Sequence, residues 1–318
     1  NDKVLVLITR NYGLSDPVLN MGIPRLLLER GHKVITLSHL PAHDLDLSED
    51  YPNLYWPFGQ HILSGAKLVA HHPNLYAVYL TNHGCGPDTM LSYLFRKEMG
   101  DKPYLQIEVD EHFSPVGVIT RIEAFLQSLE GRPAQPLPAG FSLTSVVHRP
   151  TAVAAVPERT GGPLLVPDLP PFTAYLRAYC EAAWETETRT LRLDSTTLPL
   201  GRAETSSKEY LPFPALLGGV LTAAEAESGP FQVLLPSTQG AEADGQYPWG
   251  VETVLERQGL CRVKVIAPEL ETLPERCPEP DLLFRAFLVG DLLLCAPPEQ
   301  RDALAPAGVP GWAELETL

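Results

Sequence analysis

The sequence has no apolar run long enough to cross a bilayer, which excludes a membrane-spanning helix. Basic residues are scarce. Lys and Arg number 24 against 39 Asp and Glu, for a formal net charge of -15. A surface of that sign repels phosphate backbones and anionic headgroups, so nucleic acid and membrane are excluded as main partners. Cysteine is scarce too: Cys85, Cys180, Cys261, Cys277 and Cys295 are widely spaced and odd in number. No pair has CxxC spacing, so neither a zinc nor a dithiol redox motif is written here. The absence of a disulfide framework points to a reducing, cytoplasmic setting. The opening "NDKVLVLITR" lacks the zones of a signal peptide and an initiator methionine, as expected of a processed chain or a piece cut from a longer polypeptide. Walker lysine and GxGxxG spacings are missing, and no repeat of solenoid period occurs.

What is present is a patterned chain of 318 residues, 44% hydrophobic and 20% charged, enough for two soluble domains. "VLVLI" (Val4 to Ile8) reads as a strand buried on both faces. Asp16-Pro17 reads as a cap and first turn for a helix through "PVLNMGIPRLLLERG", disturbed at Pro24. Then come strand "HKVITL", helix "WPFGQHILSGAKLVAH", strand "LYAVYL", helix "DTMLSYLFRKEMG", strand "PYLQIEV" and helix "VGVITRIEAFLQSLEG". Strict alternation predicts a parallel, doubly wound sheet with right-handed crossovers. The proline-rich "GRPAQPLPAG" reads as a connector, with "FSLTSVVHR" a lone extended piece. Pattern resumes after "TGGPLLVPDL" with helix "FTAYLRAYCEAAW", strand "TRTLRL", helix "LPFPALLGGVLTAAEAE", strand "FQVLLPS", helix "PWGVETVLERQG", strand "CRVKVIAP" and helix "LLFRAFLVGDLLL". The expected architecture is two Rossmann-like α/β domains, residues 1–131 and 161–318, joined by a connector at 132–160 and facing a cleft.

Open α/β sheets bind ligands beyond the carboxyl ends of their strands. In the first domain that rim carries Arg10, Asn11 and Tyr12, then Asn82, His83 and Cys85, then Asp110, Glu111 and His112. In the second it carries Thr238, Gln239, Gly240 and Gly245. Cys85 lies between two glycines at the start of a helix, where the helix field favours a thiolate; the alternative is a small buried residue at a tight turn. Asp110-Glu111-His112 suits metal binding or acid–base work, or else a helix cap and a backbone-bonded histidine. A zinc site from His83, Cys85 and His112 is chemically allowed but fits no motif. "GAEADGQYPWG" superficially resembles a phosphate loop, yet Glu242 and Asp244 would repel phosphate, and Tyr247 and Trp249 suit packing on the helix start. Arg121 and Glu123 belong to a solvated helix face.

Taken together, "YLTNHGCGPDTM", "MGDKPYLQIEVDEH" and "GVITRIEAFL" resemble the domain related to 2-hydroxyacyl-CoA dehydratases and their activases. "YGLSDPVLNMGIPRLLLERGHKV" and "NLYWPFGQHILSGAKLVA" resemble the large activase-related branch. Similarity continues through "LGRAETSSKEYLPF", "LLPSTQGAEADGQY" and "LLFRAFLVGDLLL", and so covers nearly the whole chain in order. The resemblance implies a low-potential reductase holding a cubane or double-cubane iron-sulfur cluster on cysteine thiolates between α/β domains, with electrons delivered by an ATP-hydrolysing activase.

By the same resemblance Cys85 stands at the cysteine of the "CGPD" motif. Where the family has "KECLP" this chain has "KEYLP", with Tyr210 at the ligand position. Where the family has "GPCRFGQY" it has "GAEADGQY", with Glu242 there. A phenol and a carboxylate are poor replacements for soft thiolates. Lys208, Glu209, Gln246 and Tyr247 flank these positions and join the rim residues as cleft candidates. The expectation is a family fold that has lost the standard cluster and acts as a scaffold or partner of an ATP-dependent activase, or of a cysteine-complete homologous subunit. Two alternatives stand beside it: an active iron-sulfur reductase or dehydratase component with atypical or shared ligands, and a cluster-free binder of small molecules.

Overall fold

The computed structural model describes residues 2–83, 85–110, 114–146, 148, 153–159, 161–206, 208–238, 242–269, 280–295 and 297. The chain divides into two compact units, Asn1–Pro150 and Thr151–Leu318.

The first unit is built on four parallel strands: β1 (Val4–Ile8), β2 (Lys33–Thr36), β3 (Leu75–Asn82) and β4 (Leu105–Val109), in the order β2-β1-β3-β4. The apolar run of β1 is explained by burial on both faces. Leu5 and Leu7 join Tyr76, Val78 and Ile107 against α2 (Ile23–Glu29) and α5 (Pro115–Glu130). The intervening residues of β3 serve the other face, where Tyr79 stacks on Phe95 at 4.2 Å. That face is covered by α3 (Pro57–His71) and α4 (Gly86–Met99). Fully burying one such aliphatic or aromatic side chain stabilises by about 1.5–3 kcal/mol, which is why alternation fails on a doubly covered strand.

One helix expectation needs correction. A short α1 spans Asn11–Ser15, ahead of the predicted start, and residues 16–22 are turns rather than helix. Asp16 does cap, but a turn: its Oδ1 accepts from Val18 N–H at 2.8 Å. Met21 and Gly22 adopt φ of 53° and 64°, which no helix interior tolerates. Pro24 therefore sits in the first turn of α2 and starts that helix instead of disturbing it. The "FSLTSVVHR" stretch is not extended through residues 141–146; Ser145 N–H bonds Ser142 C=O and Phe141 N–H bonds Pro138 C=O, so local turns use the backbone groups a strand would need.

The second unit repeats the topology. Its sheet runs β6-β5-β7-β8, from β5 (Leu164–Pro167), β6 (Thr188–Leu191), β7 (Phe231–Leu234) and β8 (Val263–Ile266), all parallel. Strand β5, inside "TGGPLLVPDL", was not expected as an element, yet it is central. Its Leu164 and Val166 pack with Tyr179 and Cys180 of α6 (Phe172–Trp184). Helices α8 (Pro212–Ala226) and α9 (Tyr247–Arg257) pack against β6 and β8, and α10 (Pro280–Cys295) packs on α6. A further unexpected helix, α7 (Leu198–Glu204), meets α8 where Gly201 and Gly218 face backbone. A Cβ on Gly201 would strike Pro214 C=O, and one on Gly218 would strike Thr197 C=O. The architecture is thus α/β, with two four-stranded all-parallel sheets flanked by helices. Among the described residues no helix is long and apolar enough to cross a membrane.

Candidate functional site at the first switch point

In the order β2-β1-β3-β4 the chain winds one way from β1 to β2 and the other way to β3. The crevice outside the carboxyl ends of β1 and β3 is therefore the topological switch point, where such sheets bind ligands. Arg10 leaves β1 there. Asn82 ends β3, and Cys85 occupies the N-cap position of α4 with extended φ/ψ of -85° and 117°. Pro87 presets the first turn, and Cys85 C=O accepts from Thr89 N–H at 3.1 Å.

Arg10 ties the crevice together. Its Nε and Nη2 donate to Asp88 Oδ1 at 3.2 and 2.8 Å, and Nη2 also donates to Cys85 Sγ. The guanidinium lies 4.3 Å from the centre of the Phe58 ring. Asp88 Oδ2 accepts from Asn82 N–H at 2.8 Å, and Asn82 Nδ2 donates to Tyr12 Oη at 2.6 Å. Burial disfavours the charge on Arg10, but Asp88, Cys85 and Tyr12 outweigh it and hold the group above its ordinary value. The site thus offers a half-buried thiol beside a fixed positive charge whose countercharge is already in place.

The other rim residues go elsewhere. His83 is 65% exposed and pairs with Glu108 at 3.1 Å, so its ring turns to β4 while Cys85 faces Arg10. Glu111 and His112 lie outside the described residues, as do Gln239 and Gly240, so neither the zinc set nor the full triplet is described. Asp110 does not cap the next helix: α5 begins at Pro115, and Ser114 is its N-cap residue. Asn11 is exposed at the start of α1. Arg121 and Glu123 make surface contacts, to Gln106 C=O and to Arg30.

Tyr210 and Glu242 belong to the second unit. Tyr210 is exposed just before α8, and Glu242 is exposed at the N-cap of a 3-10 turn, Ala243–Gln246. Both regions approach Tyr247. Burial, then Asp244 and Tyr210, push its hydroxyl up to about 12. Tyr247 also packs on Phe213, and Trp249 is buried in the same helix start. Gln246 is buried. Glu209 is buried as well, its Oε2 accepting from Ser206 N–H and Oγ–H at 2.8 and 2.6 Å. It anchors the loop, with Lys208 N–H bonded to Ser206 Oγ.

A cubane needs soft thiolates. At Cys85, Tyr210 and Glu242, the positions where the resemblance implies ligands, the side chains are a thiol, a phenol and a carboxylate, and residues of those types do not fit a conventional cluster. The remaining described cysteines do not compensate. Cys180 is sealed in the core under α6, while Cys261 and Cys295 are exposed, before β8 and at the end of α10. Cys277 lies outside the described residues. Among the described residues no group of three His, Cys, Asp or Glu side chains could hold a metal ion.

Two site residues were absent from the expected set: Asp88 and Phe58. Asp88 carried a signal, as the acidic residue in the first turn of the helix that Cys85 opens. Phe58 carried none, because only the fold brings α3 beside β1.

Compared with protein-family models, with curated proteins and with solved structures, the chain gives no significant match.

Proposed function

We propose that this chain is a member of the 2-hydroxyacyl-CoA dehydratase and activase-related reductases that has lost the standard iron-sulfur cluster. It works as a cytoplasmic partner subunit or scaffold for an ATP-dependent activase or a cysteine-complete homologue. The observation that carries this reading is the donor set. Cys85 is the one thiol at the three family positions, and its sulfur is already engaged by Arg10, while Tyr210 and Glu242 stand at the other two. The doubly wound α/β units support the resemblance at the level of architecture. The interdomain cleft expected from the motifs belongs to the same proposal.

The test is anaerobic reconstitution with iron and sulfide, read by absorption and paramagnetic resonance, with co-purification of an activase or homologous subunit. The expected result is no stoichiometric cubane, together with stable association. A stoichiometric cluster that disappears in Cys85→Ala would instead support the active reductase with shared or atypical ligands. The third reading, a cluster-free binder of small molecules, is favoured by one observation: a pocket in the first unit whose lining includes His61, a residue with a buried, unpaired Nε2.

A further inference from the structure

Beyond the carboxyl ends of β1 and β2, wholly within the first unit, lies a pocket of about 220 Å³. Asn11 and His43 stand at its mouth, His43 on a 3-10 turn spanning Ala42–Asp44. Phe58, Gln60, His61 and Ser64, from the first two turns of α3, line it. Neither a carboxylate nor an ammonium group is among the lining residues.

Two independent features point to an occupant. The first is the end of α3. This helix has 15 residues, its N-cap residue Trp56 makes no side-chain cap, and its first turn holds no acid. The positive end of the helix field therefore meets the pocket without a built-in negative partner. The second is His61. The residue is 5% exposed, and its Nε2 is sealed and has no hydrogen-bond partner. Buried polar atoms are ordinarily paired, so an unpaired one on a residue that lines a cavity, here covered by the stacked His43 ring, marks a contact still to be made. The exposed His43 ring stacks on His61 with centroids 3.7 Å apart.

The chemistry of the walls selects the occupant. A neutral imidazole, the amides of Asn11 and Gln60 and the Ser64 hydroxyl can all donate, which suits an anion at a helix start. Phe58 gives an apolar wall, which suits a carbon skeleton. The volume falls below that of drug-sized sites, so the ligand is small. A metal ion is disfavoured. The two stacked imidazole planes lie 19° apart with centroids 3.7 Å apart, so their lone pairs lie in separate, nearly parallel planes and do not converge on one ion.

We propose that this pocket binds the carboxylate of a small organic acid at the N-terminus of α3, with His61 as the buried donor. His43, on the surface, turns aside to admit it. This role is independent of the cluster and of any partner subunit.

The test is nuclear magnetic resonance of the full chain labelled with ¹⁵N-histidine, titrated with acetate and propionate at constant ionic strength. Acetamide is the uncharged control, and phosphate and Zn²⁺ are competitors of other chemistry. The expected result is a saturable shift of the His61 ring with the carboxylates and none with acetamide, weakened roughly tenfold or more in His61→Phe. Should His61→Phe fail to fold, the wild-type chain decides, because a bound carboxylate must raise the pH at which His61 titrates. No saturable shift, an equal shift with acetamide, or undiminished binding in a folded His61→Phe would overturn the proposal. Saturation by phosphate alone or by Zn²⁺ alone would overturn it in favour of those ligands.

Discussion

Arg10 and Asp88 form a two-pronged ion pair, 2.8 and 3.2 Å to one carboxylate oxygen, that links the residue after β1 to the first turn of α4. The other oxygen of Asp88 holds Asn82 N–H at the end of β3. One carboxylate therefore bridges both strands of the switch point, and Cys85 sits on the same guanidinium. Side-chain exposures of 19% and 5% place the pair largely out of water, where losing one partner costs more than the pair contributes.

That relationship predicts strong coupling. Asp88→Asn and Arg10→Met each leave a buried charge without its partner and are expected to cost about 3 kcal/mol. The double variant should cost less than the sum, with an interaction of about 0.5–3 kcal/mol in a double-mutant cycle. Urea unfolding of the four chains measures this, and additive effects would contradict the bridge.

A second buried charge group lies away from the site. Lys67 Nζ is 3.4 Å from Asp50 and 3.3 Å from Glu98, while Tyr51 donates to Glu98 and His148 pairs with Asp50 at 2.6 Å. Lys67 is 4% exposed and Asp50 1%. Lys67→Met removes the cation that two largely buried carboxylates share and is expected to destabilise by about 3–5 kcal/mol. Calorimetry at neutral pH should show the loss, and an unchanged melting temperature would contradict the buried cluster.

His61 predicts the acid response. Burial, then the neighbouring His43, hold its ring down to about 4 against 6.5 in the unfolded chain. Its contribution is present above 6.5 and is lost as pH falls through 4, because the unfolded chain takes up the proton first. Unfolding free energy should therefore drop between about pH 6.5 and 4, and His61→Phe should flatten that slope. An unchanged slope in the variant would assign the acid response to other groups.

Thiol accessibility offers a check on the cysteine placement. Cys261 and Cys295 are exposed, Cys85 is intermediate and Cys180 is buried in the core of the second unit. Labelling with a maleimide should modify Cys261 and Cys295 first and Cys85 more slowly, with Cys180 reacting only on unfolding. Mass spectrometry of a time course reads the order directly, and early labelling of Cys180 would contradict the packing of α6.

Much of the α/β pattern was legible along the chain. Runs such as "VLVLI" and "LYAVYL" are continuous because both sides of a parallel strand are covered, and the helices between them show their apolar faces. The rim was legible in part for the same reason: Arg10, Asn82 and Cys85 follow strands, and in this fold the residues after strands face the ligand crevice. Strand β5 was hidden because its four residues sit among the prolines and glycines of "TGGPLLVPDL", which break the pattern of a strand. The early turn at residues 16–22 was hidden because its left-handed Met21 and Gly22 interrupt an apolar spacing that still suits a helix. Helix α7 was hidden because its close approach to α8 depends on glycines meeting backbone across space.

The sequence by itself determined the class of fold, the acidic balance and the scarcity of cysteine, since these depend on composition and on local period. Tertiary structure alone decided that Asp88 would answer Arg10 across 78 positions, that Phe58 would lie beneath the same guanidinium, and that His61 would lose its water beside a pocket. Such pairings join residues far apart in the chain. Their geometry follows from strand order and helix packing, which no local pattern of side chains encodes.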